Sequence, residues 1–222
     1  MELPPFISAL LHAAAYPTGT RGPVKLIQTH ISYILLTHES AYKIKKAVDF
    51  SFLDFTTLDK RLRFCEEEVR LNRRLARGVY LGVVKVTKEA GGYKMEGEGE
   101  AVEYAVKMRR IPDESLLENR LAGGRVDARD MERIARVIAA FHKNAETGAR
   151  VSSFGSPETI GKNTDENFAQ TEAFVGRTIS VKLFRKIRGY TEGFLRANEE
   201  LFLERMKGGF IRDCHGDIHC EH

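Results

Sequence analysis

Residues 24–48 read VKLIQTHISYILLTHESAYKIKKAV, and this stretch decides the fold expected for the first half of the chain. It holds three runs typical of β-strands, VKLIQT, SYILLT and AYKIKKAV, and the turn HES joins the second run to the third. Because alternate residues of a strand point to opposite faces, Ala41, Lys43 and Lys45 share one face of the third run. The stretch therefore predicts three strands, the last of which presents two ammonium groups on one face.

A helix is expected directly after these strands. Thr56 or Thr57 can cap its start. Its apolar positions recur at helical spacing, at Leu58, Leu62, Cys65 and Val69. Glu68 lies on the flank of this stripe and is expected to point toward the sheet, whereas Glu66 and Glu67 have no clear placement.

Two more strands are predicted after the helix, in VYLGVVKVT and EAVEYAVKM, separated by a glycine-rich turn around EAGG and EGEGE. The order predicts a five-stranded antiparallel sheet with one helix, preceded by a short surface or lobe-capping helix in MELPPFISALLHAAAYP. We place this small lobe at residues 1–108.

The second half, residues 109–222, has the pattern of a helical lobe. The segment DARDMERIARVIAAFHKNA predicts a helix capped by Asp127, and residues 179–206 predict a long helix interrupted near Gly189. The polar segment GSPETIGKNTDENFAQ between them is predicted to be a loop. Sheet first and helices second indicate an α+β fold with two segregated lobes.

Composition excludes several classes of protein. The 222 residues carry a net charge of +4. Arg70, Arg73, Arg74 and Arg77 follow the three acids at 66–68 on the same predicted helix, which we interpret as a solvated helix face and not as a nucleic-acid interface. Three cysteines do not suggest a disulfide framework, so a cytoplasmic protein is expected. No segment has the apolar length of a transmembrane helix, and no membrane association is expected.

The chain ends on FIRDCHGDIHCEH, residues 210–222, which contains the motif HGDIH at 215–219. This motif resembles the catalytic loop of aminoglycoside phosphotransferase-like kinases, whose pattern is H-G-D-x-H-x-x-N. Residues 41–84 also resemble the small lobe of that family, most closely a bacterial branch in which such a domain precedes a P-loop ATP-binding domain. The resemblance extends from about residue 24 onward and implies a protein-kinase-like two-lobe fold and ATP-dependent phosphotransfer to a small-molecule hydroxyl.

Several site residues of the family have counterparts here. The resemblance implies that Lys43 holds the nucleotide phosphates, with Lys45 as the alternative, and that Glu68, or else Glu67, pairs with that lysine.

In the catalytic loop, Asp217 would orient the proton of the acceptor hydroxyl, and His215 and His219 would support the loop. The connector around Val106 to Arg109, including Met108, resembles the hinge that hydrogen-bonds adenine.

The metal ligands depart from the family pattern. His222 stands where the family has an asparagine that binds Mg²⁺, and the strand bearing a second metal-binding aspartate is not in the sequence. A truncated kinase-like domain is therefore expected, completed by a downstream P-loop domain or by association of copies.

Two other readings of the chain stay open. One is a catalytically inactive nucleotide-binding or regulatory pseudokinase, which would keep Lys43 and Glu68 and bind ATP without Mg²⁺. The other is a zinc site built from the residues of the tail, which are Cys214, His215, His219, Cys220 and His222.

Overall fold

The computed structural model describes residues 3–18, 20–50 and 53–220. The protein is α+β and forms two compact units. The first unit runs to Arg125 and includes Cys220, and the second is Val126–His219. Within the described ranges, no helix has both the length and the apolar character needed to cross a membrane.

The first unit is built on one antiparallel sheet. Its strands are β1 (Lys25–Gln28), β2 (Ser32–Leu36), β3 (Ser40–Lys45), β4 (Tyr80–Glu89), β5 (Gly92–Met95) and β6 (Glu100–Arg109). They are arranged in the order β1-β2-β3-β6-β4-β5. The last strand along the chain therefore lies in the middle of the sheet, between β3 and β4.

The sheet has six strands, so the prediction of five is wrong. The additional strand is β5, within the segment that we interpreted as a glycine-rich turn. Its short run Gly92–Met95 pairs with Val86–Glu89 of β4, and Met95 is buried in the core. Cross-strand pairing and burial of one side chain stabilise this strand although its composition is typical of a turn.

Helix α1 (Pro5–Ala9) and a 3₁₀ turn at Ala13–Ala15 cover one face of the sheet. Ile7 and Leu10 are fully buried there, against Tyr42 and Ile44 of β3. The predicted N-terminal helix therefore caps the sheet and is part of its core.

Helix α2 (Leu58–Ala76) covers the opposite face. Thr57 caps it, because its side-chain oxygen accepts the backbone N–H of Lys60 at 3.3 Å. Cys65 and Val69 pack on Val106 of β6, which confirms that part of the predicted apolar stripe, whereas Leu58 and Leu62 are only half-buried. Helix α3 (Leu117–Ala122) follows the sheet.

The packing of α2 gives a testable difference among the three free cysteines, of which Cys65 is buried and Cys214 and Cys220 are partly exposed. Burial raises the pKa of the Cys65 thiol to about 12. At pH 8 we expect DTNB to modify two thiols quickly and Cys65 roughly a hundredfold more slowly. Reaction in denaturant is the control, and there all three thiols should react at the same rate. A third thiol that reacts quickly in the native protein would contradict the packing of α2.

The second unit contains the helices α4 (Ala128–Asn144), α5 (Ala149–Ser152), α6 (Pro157–Glu172), α7 (Val181–Ala197) and α8 (Glu199–Lys207). The predicted cap at Asp127 is confirmed, as its side chain accepts the backbone N–H of Asp130 at 2.9 Å.

Two predictions in this unit are wrong. The segment predicted to be a loop forms most of α6, which Ser156 caps and Pro157 begins, and whose Phe168 ring meets Phe184 of α7 edge-on at 5.7 Å. The long predicted helix breaks at Asn198, and Gly189 lies inside α7.

Candidate functional site

Three charged side chains meet on the face of the sheet that α2 covers. One carboxylate oxygen of Glu68 accepts a hydrogen bond from the Lys43 ammonium at 2.9 Å, and the other accepts one from the Lys45 ammonium at 2.5 Å. The side chain of Lys43 is 29% exposed, that of Lys45 7%, and that of Glu68 13%. The cluster is thus largely shielded, and Lys43 is its most accessible member.

The local sequence explains why these groups meet. The alternation of β3 directs Lys43 and Lys45 to one face, and Tyr42 and Ile44 to the other, as predicted. Glu68 follows Cys65 by three residues and therefore lies near the helix stripe that contacts the sheet.

The charge balance of the cluster is two cations to one anion. Burial by itself would raise the pKa of Glu68, but the charges of Lys43 and Lys45 outweigh burial and hold the pKa below its usual range. Lys45 also lies over the ring of Phe55, at 5.0 Å from its centroid. The cluster therefore carries an excess positive charge, and a partly exposed ammonium of this kind is suited to an anionic ligand.

The structure places Glu68, and not Glu67, against the two lysines. Glu68 contacts both lysines, whereas Glu67 binds Arg70 at an exposed position on the helix. Lys43 and Lys45 both belong to the cluster and differ in burial.

A second ion pair holds α2 against the sheet. The Nε of Arg61 donates to both carboxylate oxygens of Glu103 on β6, at 2.9 and 2.8 Å, and its Nη1 donates to the carbonyl oxygens of Phe55 and Thr56. Both side chains are buried. This contact helps to fix where Glu68 stands over β3.

Sequence reasoning missed Arg61. The signal was present, because Arg61 precedes Cys65 by four residues and Glu68 by seven, so that all three lie on one side of the helix.

The assignment of Val106 and Met108 to a connector is corrected by the structure. Both lie inside β6, where Val106 is opposite Lys43 on one side and Val83 on the other, and Met108 is opposite Ala41 and Tyr80. Val106 is fully buried. The sheet ends only at Arg109, because β6 is a central strand of ten residues.

The tail motif lies in the second unit. Gly216 adopts φ of +81°, a conformation that favours glycine. The backbone N–H of Asp217 donates to Nδ1 of His215 at 3.3 Å, and Nε2 of His219 lies 4.0 Å from a carboxylate oxygen of Asp217. The side chain of Asp217 is 77% exposed.

The chain that leads into this motif is anchored to the segment that follows α4. The Asp213 N–H donates to the carbonyl of Glu146 at 2.9 Å, and the Thr147 hydroxyl donates to the carbonyl of Ile211 at 3.1 Å. Gly155 is required beside this segment, since a Cβ there would come within 2.5 Å of the Ile211 side chain.

The predicted metal ligand His222 lies outside the described residues. Among residues 3–18, 20–50 and 53–220, no group of three or more His, Cys, Asp or Glu side chains is placed to hold a metal ion.

Comparison with known proteins gives relatives but no family. No protein-family model matches the chain, and no solved structure matches it. It is similar to Uncharacterized protein Mb2027c of Mycobacterium bovis and to Uncharacterized protein Rv2004c of Mycobacterium tuberculosis, each 30% identical over 204 residues. The match covers 92% of this chain, which spans 39% of the length of each relative.

Proposed function

We propose that this chain is the ATP-binding portion of an aminoglycoside phosphotransferase-like kinase that transfers phosphate to the hydroxyl of a small molecule in the cytoplasm. The observation that carries the proposal is the cluster of Lys43, Lys45 and Glu68. Protein kinases need an ion pair between a lysine of the third strand and a glutamate of the helix that follows, because that lysine holds the nucleotide phosphates. Here the third strand and the helix that follows it supply both partners.

The burial of the two lysines suggests different roles. Lys43 is the more exposed and would contact the phosphate oxygens. Lys45 is held between Glu68 and the ring of Phe55, so it would balance the charge of Glu68 when Lys43 turns toward a ligand.

We assign the binding of the phosphoryl acceptor to the tail motif. Asp217, with its exposed carboxylate, would orient the acceptor hydroxyl, and His215 would hold the turn through its bond to the Asp217 N–H. Among the described residues, no group of three carboxylate, imidazole or thiol ligands is placed to hold Mg²⁺. The same proposal includes a further domain, such as a P-loop domain, in proteins that are as long as the relatives.

ATP binding tests the proposal directly. At ATP ten times its dissociation constant, binding should stabilise the protein by about 1.4 kcal/mol, which raises the midpoint of thermal unfolding by a few degrees. Lys43→Met should abolish the shift. Lys25→Met is the matched control, because Lys25 is an exposed lysine of β1, which does not pair with β3, and it should leave the shift unchanged.

Measurements with and without Mg²⁺ separate the two kinase-type functions. A shift that needs Mg²⁺ supports phosphotransfer, and a shift of equal size without Mg²⁺ supports the regulatory, binding-only alternative. No shift at millimolar ATP would contradict both.

A further inference from the structure

Four arginines of α2 and its C-terminal cap line a groove of about 600 Å³ beside β4. They are Arg70, Arg73, Arg74 and Arg77. Val69 and Val83 also line the groove, and Glu66 is the only acidic residue among the lining residues that the structure describes. The groove is therefore cationic with an apolar component, although Glu67 binds the guanidinium of Arg70 and the arginines have the sequence pattern of a solvated helix face.

Contacts within the first unit hold parts of this groove in place. The Nε of Arg73 donates to the carbonyl oxygen of Tyr80 at 2.8 Å, and its Nη2 donates to that of Leu81. Arg73 thereby ties α2 to the beginning of β4. Arg77 stands at the helix C-terminus with an exposed side chain. The groove lies on the flank of α2 away from Glu68, because residues 66, 70, 73 and 77 follow one helical stripe.

The strand beside the groove has one open edge. β6 pairs with β4 from Tyr80 to Lys88, whereas β5 pairs only with Val86–Glu89. In the described part of the chain, no strand pairs with the other edge of β4 between Gly82 and Val84. Such an edge offers backbone N–H and C=O groups to an additional strand.

We propose that this groove binds an extended acidic peptide segment, which adds to the open edge of β4 and directs its carboxylates to the arginines. Guanidinium groups bind carboxylates through two parallel hydrogen bonds, and clusters of arginine recognise acidic motifs. A peptide fits the groove better than a nucleic acid does. Among the lining residues that the structure describes there is no aromatic side chain for base stacking, and the open edge of β4 can form strand hydrogen bonds with a peptide backbone but not with a nucleic acid.

The test uses a fluorescein-labelled peptide of eight residues that alternates glutamate and threonine, because alternation puts every carboxylate on one face of a strand. Anisotropy should show saturable binding that weakens with salt. A peptide of the same composition with all glutamates at one end, and a lysine–threonine peptide, should bind much more weakly.

The double variant Arg74→Gln/Arg77→Gln should bind the alternating peptide about tenfold more weakly. The matched control is Arg129→Gln/Arg133→Gln, which removes the same charge from exposed positions of α4 and should bind normally. Equal weakening in both variants would show charge attraction only and overturn the proposal. Unchanged thermal unfolding midpoints verify that both variants fold.

Hydrogen exchange on the unmodified protein gives an independent result. Bound peptide should slow the exchange of backbone amides within Gly82–Val84, because the added strand pairs with that edge. Peptide binding that does not slow amide exchange within Gly82–Val84 would overturn the proposal of an added strand. An eight-nucleotide single-stranded RNA that binds more tightly than the peptide would overturn the choice of a peptide as ligand.

Discussion

Replacing Glu68 with glutamine is expected to destabilise the first unit by about 3 kcal/mol, because two buried or half-buried ammonium groups lose their shared counter-charge. Lys45 has the larger part in this effect, since its side chain is only 7% exposed and its charge cannot turn to solvent. The urea dependence of Cys65 thiol labelling measures the loss, as Cys65 reacts only when α2 leaves the sheet.

The adjacent residue supplies a matched control. Glu67→Gln removes the same charge one position earlier, but Glu67 pairs with Arg70 at an exposed position. It should change the free energy of unfolding by less than about 0.5 kcal/mol. Equal effects of the two substitutions would contradict the buried cluster.

The contribution of Glu68 should also depend on pH, with a defined sign. The folded-state pKa of Glu68 is lowered, by Lys43 and Lys45 against the opposing effect of burial. Its stabilising effect is therefore fully present above the ordinary glutamate pKa of about 4.3 and is lost as the pH falls through the lower folded-state value. The difference in stability between the unmodified protein and Glu68→Gln should shrink in that acidic range and stay constant between pH 6 and 8.

Replacing Arg61 with alanine is expected to have the largest effect on stability, about 4 kcal/mol. The substitution removes a buried guanidinium that binds Glu103 and the carbonyls of Phe55 and Thr56. It also leaves the Glu103 carboxylate buried, at 4% exposure, and within the described part of the chain only the Tyr104 N–H would still donate to it. Urea unfolding followed by Cys65 labelling measures the change.

Two further variants separate the ion pair from the general loss of a side chain. Arg63→Ala changes an exposed arginine of the same helix and should lower the free energy of unfolding by less than about 0.5 kcal/mol. The double variant Arg61→Met/Glu103→Leu should recover most of the loss, because an apolar pair leaves no buried charge. If the double variant were as unstable as Arg61→Ala, the buried charge of Glu103 would not be the cause.

The sequence by itself determined the parts of the site that follow from local periodicity. Strand alternation placed Lys43 and Lys45 on one face, and helical spacing placed Glu68 near the stripe that carries Cys65. These placements depend only on residues a few positions apart, and both regular structures repeat over that distance.

Only the tertiary structure decided which segments become neighbours. β5 and α6 have turn-like composition, yet pairing with β4 stabilises the first, and a capped start and a contact with α7 stabilise the second. Val106 and Met108 are in the sheet because β6 enters between β3 and β4. The groove formed by the α2 arginines likewise exists only because β4 returns beside that helix. Such contacts join residues far apart in the chain, and the local pattern of one segment does not contain the identity of its partner.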